Sequence, residues 1–282
     1  MSPEAKRRPP YLPFLQGPPD FAPRLSPIPE ARWLFPDSEA EHIMARRLLM
    51  ATRPVEVMAG DLRSPACEEA YHLIADGAGR GMGRETDPPL QRAARLVSDD
   101  LVLLEQGPPG DWRMRSAIVT APTYWRLPEL INMDLGALHQ PVPGGDPGLA
   151  SRIARVFTSL APDRILERFN WTVQAGAERF TPQRPSARGG QPEDLHLRVE
   201  RQTVRKLPDT GAVLFTIRIC LDPLTAMLED AETREAFEDA WITAPDHVRA
   251  YKGWNRLESL VRKACRRAGQ SGLYRPAEDS RE

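Results

Sequence analysis

The spacing of apolar and polar residues changes period several times along this chain, and each change predicts an element. From Asp37 a helix is expected: Asp37 or Ser38 caps it, Glu39 and Glu41 suit its positive end, and Ile43, Leu48 and Leu49 form an apolar side. Ser64-Pro65 opens a second helix, with Pro at the first helical position and Glu68 and Glu69 in the first turn. After a short helix near 90–97 the period falls to two, and "DLVLLEQ" and "WRMRSAIVTA" flank "GPPGD" as a hairpin. Helices are expected at about 126–138 and 147–160, a strand at 168–175 ("RFNWTVQA") and a second hairpin at 195–221. The region from Leu224 to about Ala268 reads as two helices broken near Pro245. Hairpins mixed with helices, without regular βαβ alternation, indicate an α+β fold with a mainly antiparallel sheet of about five strands, one face of which is left for a ligand.

The second hairpin, "LHLRVERQTVRKLPDTGAVLFTIRICL", carries the most information. Pro208 fixes φ, Asp209 bonds nearby backbone and Gly211 tolerates φ > 0, so the turn lies there. A loop centred between Asp209 and Thr210 sets Thr203 opposite Thr216, Arg201 opposite Arg218 and Val199 opposite Cys220. Period-two alternation adds Leu195, Leu197 and Leu214 to the same face. Two arginines directly opposed in an apolar frame require an anion, because like charges repel across a sheet and unpaired burial costs several kcal/mol. Either each arginine meets an Asp or Glu of the chain itself or reaches solvent, or the guanidinium forks hold the carboxylates or phosphates of a ligand. Arg198 points to the opposite face and Arg205 lies near the turn.

Composition narrows the partners. With 282 residues and 41% apolar content the chain can bury a full core, and 38 Lys plus Arg against 39 Asp plus Glu give no electrostatic case for nucleic acid or an anionic membrane. No apolar run reaches the roughly 20 residues that span a bilayer. Cys67, Cys220 and Cys265 lie far apart and form no metal motif, which fits a reducing cytoplasm. Prolines interrupt the apolar stretch after "KRRPP", so no export signal is read there. Residues 1–30 hold nine of the 29 prolines and read as an arm, which Tyr11, Phe14 and Phe21 favour draping over the domain; 31–270 is the main domain and 271–282 a charged tail. "GAGRGMG" at 77–83 follows a helix, lacks a Walker lysine and reads as a turn.

Candidate chemistry is sparse. None of His42, His72, His139, His196 and His247 has the spacing that sets two ligands on one helical face, and no GxSxG, Cys-His or paired-carboxylate motif occurs. His139 differs in context. It ends a predicted helix and is followed by "QPVPGG", a rigid mounting suited to a lone ligand, although a helix-terminal histidine facing the negative helix end gives the same pattern.

The hairpin motif, "LHQPVP", "FNWTV" and "YKG" (Tyr251 to Gly253) resemble the haem-dependent oxidative N-demethylase family, which includes the large subunit of dimethylamine monooxygenase. The resemblance runs from about Trp33 to Gly253. It implies a haem b protein on an enlarged PAS-like fold. Such a protein takes electrons from a separate reductase carrying the FMN, iron-sulfur and NADPH functions, activates O2 and oxidises an N-methyl group to release formaldehyde. It further implies that Arg201 and Arg218 meet the propionates, that Val199, Leu214 and Thr216 cover the macrocycle, and that His139 ligates the iron, with Cys220 as the rival. Trp171, Tyr124 and Trp125 are the aromatic candidates for a protonated amine. Ala121, Pro122 and Thr123 depart from the family's usual Phe-Pro-Ser wording; if they border the pocket, the amine differs from dimethylamine. A non-catalytic haem-binding PAS-like sensor or carrier is the alternative, and an oligomer is left open.

Overall fold

A computed structural model of the chain describes residues 11–34, 40–78, 86–107, 110–140, 147–186 and 190–271. Seven strands form one open antiparallel sheet: β1 (Ser26–Ile28), β2 (Met58–Gly60), β3 (Asp100–Gln106), β4 (Trp112–Ile118), β5 (Ile165–Ala175), β6 (Leu195–Lys206) and β7 (Val213–Pro223), in the order β1-β5-β6-β7-β3-β4-β2. With its helices this is the expected α+β fold, enlarged by elements before and after the long strands. Those five long strands are the ones the alternation predicts. The two additional strands span three residues each at the sheet edges, too short for a period-two pattern to register.

The β6–β7 register is the expected one: Val199 pairs with Cys220, Arg201 with Arg218 and Thr203 with Thr216. Locally it is set by the turn, where Gly211 takes φ 69° and the Leu207 amide donates to the Ala212 carbonyl at 2.8 Å. A distant residue fixes it further, since the Glu69 carboxylate accepts from the amides of Asp209 (2.7 Å) and Thr210 (2.9 Å). β5 continues the pairing with Trp171 opposite Val199 and Asn170 opposite Glu200. It begins three residues earlier than the sequence pattern indicates, at Ile165.

The two faces of the sheet are covered by different elements. On one face Leu101, Leu103 and Leu214 pack against the helices Pro65–Ala78 and Pro89–Ala94 and against Trp33. Farther along, Leu195, Leu197, Val199 and Trp171 pack against the helices Ala231–Ile242 and Glu258–Ser271 and against Phe14 of the arm. Each fully buried leucine contributes about 1.5–3 kcal/mol. On the other face the helix Pro147–Ser159 lays Ile153 and Phe157, four residues apart, over Val102, Leu104 and Val204, and leaves Arg152 and Arg155 exposed.

Several boundaries differ from the sequence reading. The helix expected over 126–138 is two short ones, Leu127–Leu130 and Leu135–His139, separated at Asn132, whose φ of 65° no helix accommodates. The carboxy-terminal region is four helices rather than two, and the left-handed Gly253 (φ 69°) stops the helix Asp246–Lys252. The arm does pack: Tyr11 meets Phe169, Phe14 meets Trp171 and Phe237, and Phe21 meets Tyr251. The Asp37 cap, residues 79–83 of the glycine run, the segment 141–145 after Gln140 and the tail beyond Ser271 lie outside the described residues.

Candidate functional site

A cavity of about 570 Å³ lies on the face covered by Pro147–Ser159. That volume falls within the ~300–1,000 Å³ of cofactor and small-molecule sites. The sheet supplies an apolar floor from Val102 and Leu104 of β3, Met114 of β4, Val204 of β6, and Phe215, Ile217 and Ile219 of β7. Leu135, Leu138, Ile153 and Phe157 line it from the helices, and Pro23 and Leu25 from the arm. Arg168, Asn170, Thr172, Glu200 and Gln202 of the neighbouring strands supply polar groups, joined by Thr123, Tyr124, His139, Arg184, Tyr251 and Lys252.

His139 lines this cavity at the last position of its helix, which Asp134 caps by accepting from the Ala137 amide at 2.9 Å. The His139 Nδ1 lies 2.7 Å from the Leu135 carbonyl oxygen, one turn earlier. A carbonyl only accepts, so Nδ1 carries the proton and Nε2 holds a lone pair. Burial lowers the pKa of the ring below its ordinary value, against the raising effect of the Leu135 hydrogen bond, and the nearby Arg168 charge lowers it further.

Glu200 is the centre of the polar network. Thr123 Oγ1 donates to its Oε1, while Gln202 Nε2 (2.7 Å) and Asn170 Nδ2 (3.2 Å) donate to its Oε2. Burial acts to raise its pKa, but the Thr123 bond, the charges of Arg198 and Lys252 and the Asn170 bond outweigh it, and the carboxyl is held below its ordinary value. Behind it Arg198, fully buried, donates to Thr123 Oγ1 (2.9 Å), Gln174 Oε1 (3.0 Å) and the Ala121 carbonyl (2.7 Å). Lys252 Nζ donates to Asn170 Oδ1 at 2.9 Å, and burial, opposed by Glu200, lowers its pKa to about 8.

Of the three aromatic candidates, Tyr124 and Trp125 line the cavity. Tyr124 takes φ 65°, a left-handed conformation that costs a non-glycine residue roughly 1–3 kcal/mol; the bond from its amide to the Thr181 carbonyl (2.9 Å) and the Arg184 guanidinium 4.5 Å above its ring hold it there. Trp171 does not line the cavity. It is buried on the other face, 5.0 Å from the Trp254 ring and in edge contact with Phe14.

The expected cofactor-binding set does not line the cavity either. Arg201, Arg218, Val199, Leu214 and Thr216 all project from the packed face, while Glu200, Gln202 and Ile217, one position away, line the cavity. His139 and this set therefore lie on opposite faces of the sheet. The anion that the opposed arginines demand comes from the chain. Arg201, with no exposed surface, donates to Glu167 Oε1 at 2.6 Å and to the Trp33 carbonyl at 2.8 Å; Arg218 donates to Asp99 Oδ2 at 2.9 Å. Thr203 and Thr216 hydroxyls bond each other at 2.6 Å. Cys220 shares that face, away from the cavity. Arg205 is likewise committed, to Glu30 at 2.8 Å and to the Trp33 ring.

Glu200, Arg168, Arg184, Asn170 and Lys252 are the polar residues that sequence reasoning passed over. Three of them stand inside recognised motifs, Glu200 in "RVERQ", Asn170 in "FNWTV" and Lys252 in "YKG". Asking which residues of the hairpin alternate away from the arginines would have found Glu200. Among the described residues no three His, Cys, Asp or Glu side chains gather to hold a bare metal ion, and no helix is long and apolar enough to cross a membrane. A family model described as haem-dependent oxidative N-demethylase, alpha subunit-like, matches residues 79–262 of the chain.

Proposed function

The chain belongs to the haem-dependent oxidative N-demethylase alpha-subunit-like family, and on that premise we propose that the cavity holds haem b on His139 and serves the O2-dependent demethylation of a small methylated amine. One observation carries this reading: a histidine with Nδ1 committed to a backbone carbonyl and Nε2 left as a lone pair lines a cavity with an aliphatic floor. Such a hydrogen bond at the second nitrogen fixes the tautomer and ring plane of a metal-binding imidazole. Val102, Leu104, Met114, Phe215 and Ile217 offer the macrocycle an apolar surface, and the buried Arg168 Nε, which has no hydrogen-bond partner among the described residues, is chemically suited to a carboxylate. When bound, the haem supplies the iron at which O2 is activated.

The remaining roles fall to the chain's own groups. Glu200, kept anionic, accepts the N–H of a protonated amine, and the faces of Tyr124 and Trp125 receive its positive charge. Lys252, with a pKa of about 8, holds a proton at Nζ that it exchanges near neutral pH, next to Asn170. In the overall balance the N-methyl amine, O2, a pair of electrons and a pair of protons give the demethylated amine, formaldehyde and water. One oxygen atom leaves in the formaldehyde and the other in the water. The electrons come from a partner reductase that carries the flavin and iron-sulfur centres and uses NADPH. Ala121 and Thr123 do line the cavity, so the amine is expected to differ from dimethylamine. Cys67, Cys220 and Cys265 form no disulfide among the described residues, in keeping with a reducing cytoplasm.

Absorption spectra of the ferric, ferrous and carbonyl forms, followed by a panel of methylated amines with O2 and reductant, test this directly. A histidine-type spectrum lost in His139→Ala and formaldehyde release with one amine are the expected results. Because the His139 pKa lies below its ordinary 6.5, the lone pair persists as pH falls through 6.5, and ligation fails only at lower pH. A haem spectrum insensitive to every amine, with no formaldehyde, points instead to the sensor or carrier.

A further inference from the structure

Excluding the rim pair Arg126 and Glu129 (3.3 Å), the cavity wall holds three cationic side chains, Arg168, Arg184 and Lys252, against one carboxylate, Glu200, among the described residues. Two positive charges are therefore left over on a wall where Arg168 and Arg184 are half-buried and Lys252 is buried, and an unbalanced charge there is costly. The surplus equals the charge of two carboxylates.

The hydrogen-bonding state of these cations differs. Lys252 is engaged by Asn170. Arg184 donates through Nη2 to the Tyr251 carbonyl at 2.8 Å and stacks on Tyr124, yet its buried Nε has no partner among the described residues. For Arg168 the buried Nε is likewise without a partner. Arg168 projects from β5 opposite Gln202, on the face whose floor is apolar. It lies close enough to both His139 and Lys252 for its charge to lower the pKa of each. A guanidinium left with unused donors at the wall of a cavity is placed for the forked recognition of a carboxylate.

We propose that Arg168, assisted by Arg184, binds the propionate carboxylates of the haem, the role that the family resemblance implies for Arg201 and Arg218. This rests on the haem reading above and goes beyond it by assigning the polar edge of the cofactor. Arg201 and Arg218 then hold the sheet to its flanking elements through Glu167 and Asp99, without contact to the cofactor.

The test is a titration of the full-length apoprotein with haem b and with haem dimethyl ester, whose carboxylates are neutralised, followed by Soret absorbance. Wild type is expected to bind haem b about 10- to 100-fold more tightly than the ester, the worth of a charge-assisted hydrogen bond. Arg168→Leu should weaken haem b binding, leave ester binding unchanged and so remove most of the discrimination, with the remainder due to Arg184; Arg168→Lys should keep a larger part of it. Should the leucine variant not fold, the wild-type preference and its reduction in the lysine variant carry the same information. A leucine variant that discriminates as strongly as wild type, or a wild type indifferent to esterification, overturns the assignment while leaving haem binding intact. Failure of wild type to bind haem b at all overturns the proposed function together with it.

Discussion

The two faces of the β5–β6–β7 sheet carry arginines, and Arg201 and Arg218 on one face are treated differently from Arg168 on the other. On the packed face Arg201 is completely buried and held by Glu167 and two backbone carbonyls, and Arg218 is held by Asp99. On the cavity face Arg168 keeps a buried Nε with no partner among the described residues, beside a cation-rich wall. Glu200 and Arg201 are neighbours in sequence but belong to different regions of the molecule, because a pleated strand turns successive side chains to opposite sides. A buried arginine is evidence for a ligand only after its carboxylates within the chain have been traced.

The largest expected effect breaks this comparison most directly. Arg201→Leu leaves Glu167 buried, with Arg32 the remaining ion-pair partner among the described residues at 3.9 Å, and should destabilise the fold by about 3–5 kcal/mol in denaturant unfolding. Arg168→Leu should cost less than about 1 kcal/mol in the absence of cofactor. Equal costs would mean that the faces are not distinct in the way the hydrogen bonding indicates.

Next comes pH. Lys252 titrates near 8 in the folded chain and at 10.5 when exposed, so between these values the unfolded chain binds more protons and stability rises with pH. The gain approaches about 3 kcal/mol over that window and should vanish in Lys252→Met. Unfolding curves at about pH 7.5 and 10, measured for both proteins, check it; parallel pH dependence in the two would remove Lys252 as the source.

A residue at the junction of the regions gives a smaller effect. Thr172 lines the cavity while its Oγ1 accepts the Trp254 indole N–H at 2.9 Å. Thr172→Val keeps the shape but leaves that buried N–H without its acceptor, for an expected loss of about 1–3 kcal/mol. Thermal unfolding indistinguishable from wild type would show that the packed face does not depend on this bond.

The smallest expected effect is none. Cys220→Ser alters a half-buried thiol on the face away from His139, and the ferrous-carbonyl spectrum should keep its histidine-type position. A shift of that band in the serine variant would move the axial ligand, and with it the cofactor, to the other face.

The sequence by itself determined the features that depend on near neighbours. Pro208, Asp209 and Gly211 set the turn, and period-two alternation set the register that brings Arg201 opposite Arg218. The helix ending at His139 is equally local, since its cap and the acceptor for its ring lie within one turn or two. Only the tertiary structure decided which face of the sheet would be filled. The Arg218 partner, Asp99, stands 119 residues away, and the segment over Arg201 comes from Arg32 and Trp33, nearly 170 residues earlier. Alternation states that a strand has two faces, whereas the helices that close one and leave a cavity on the other come from distant parts of the chain.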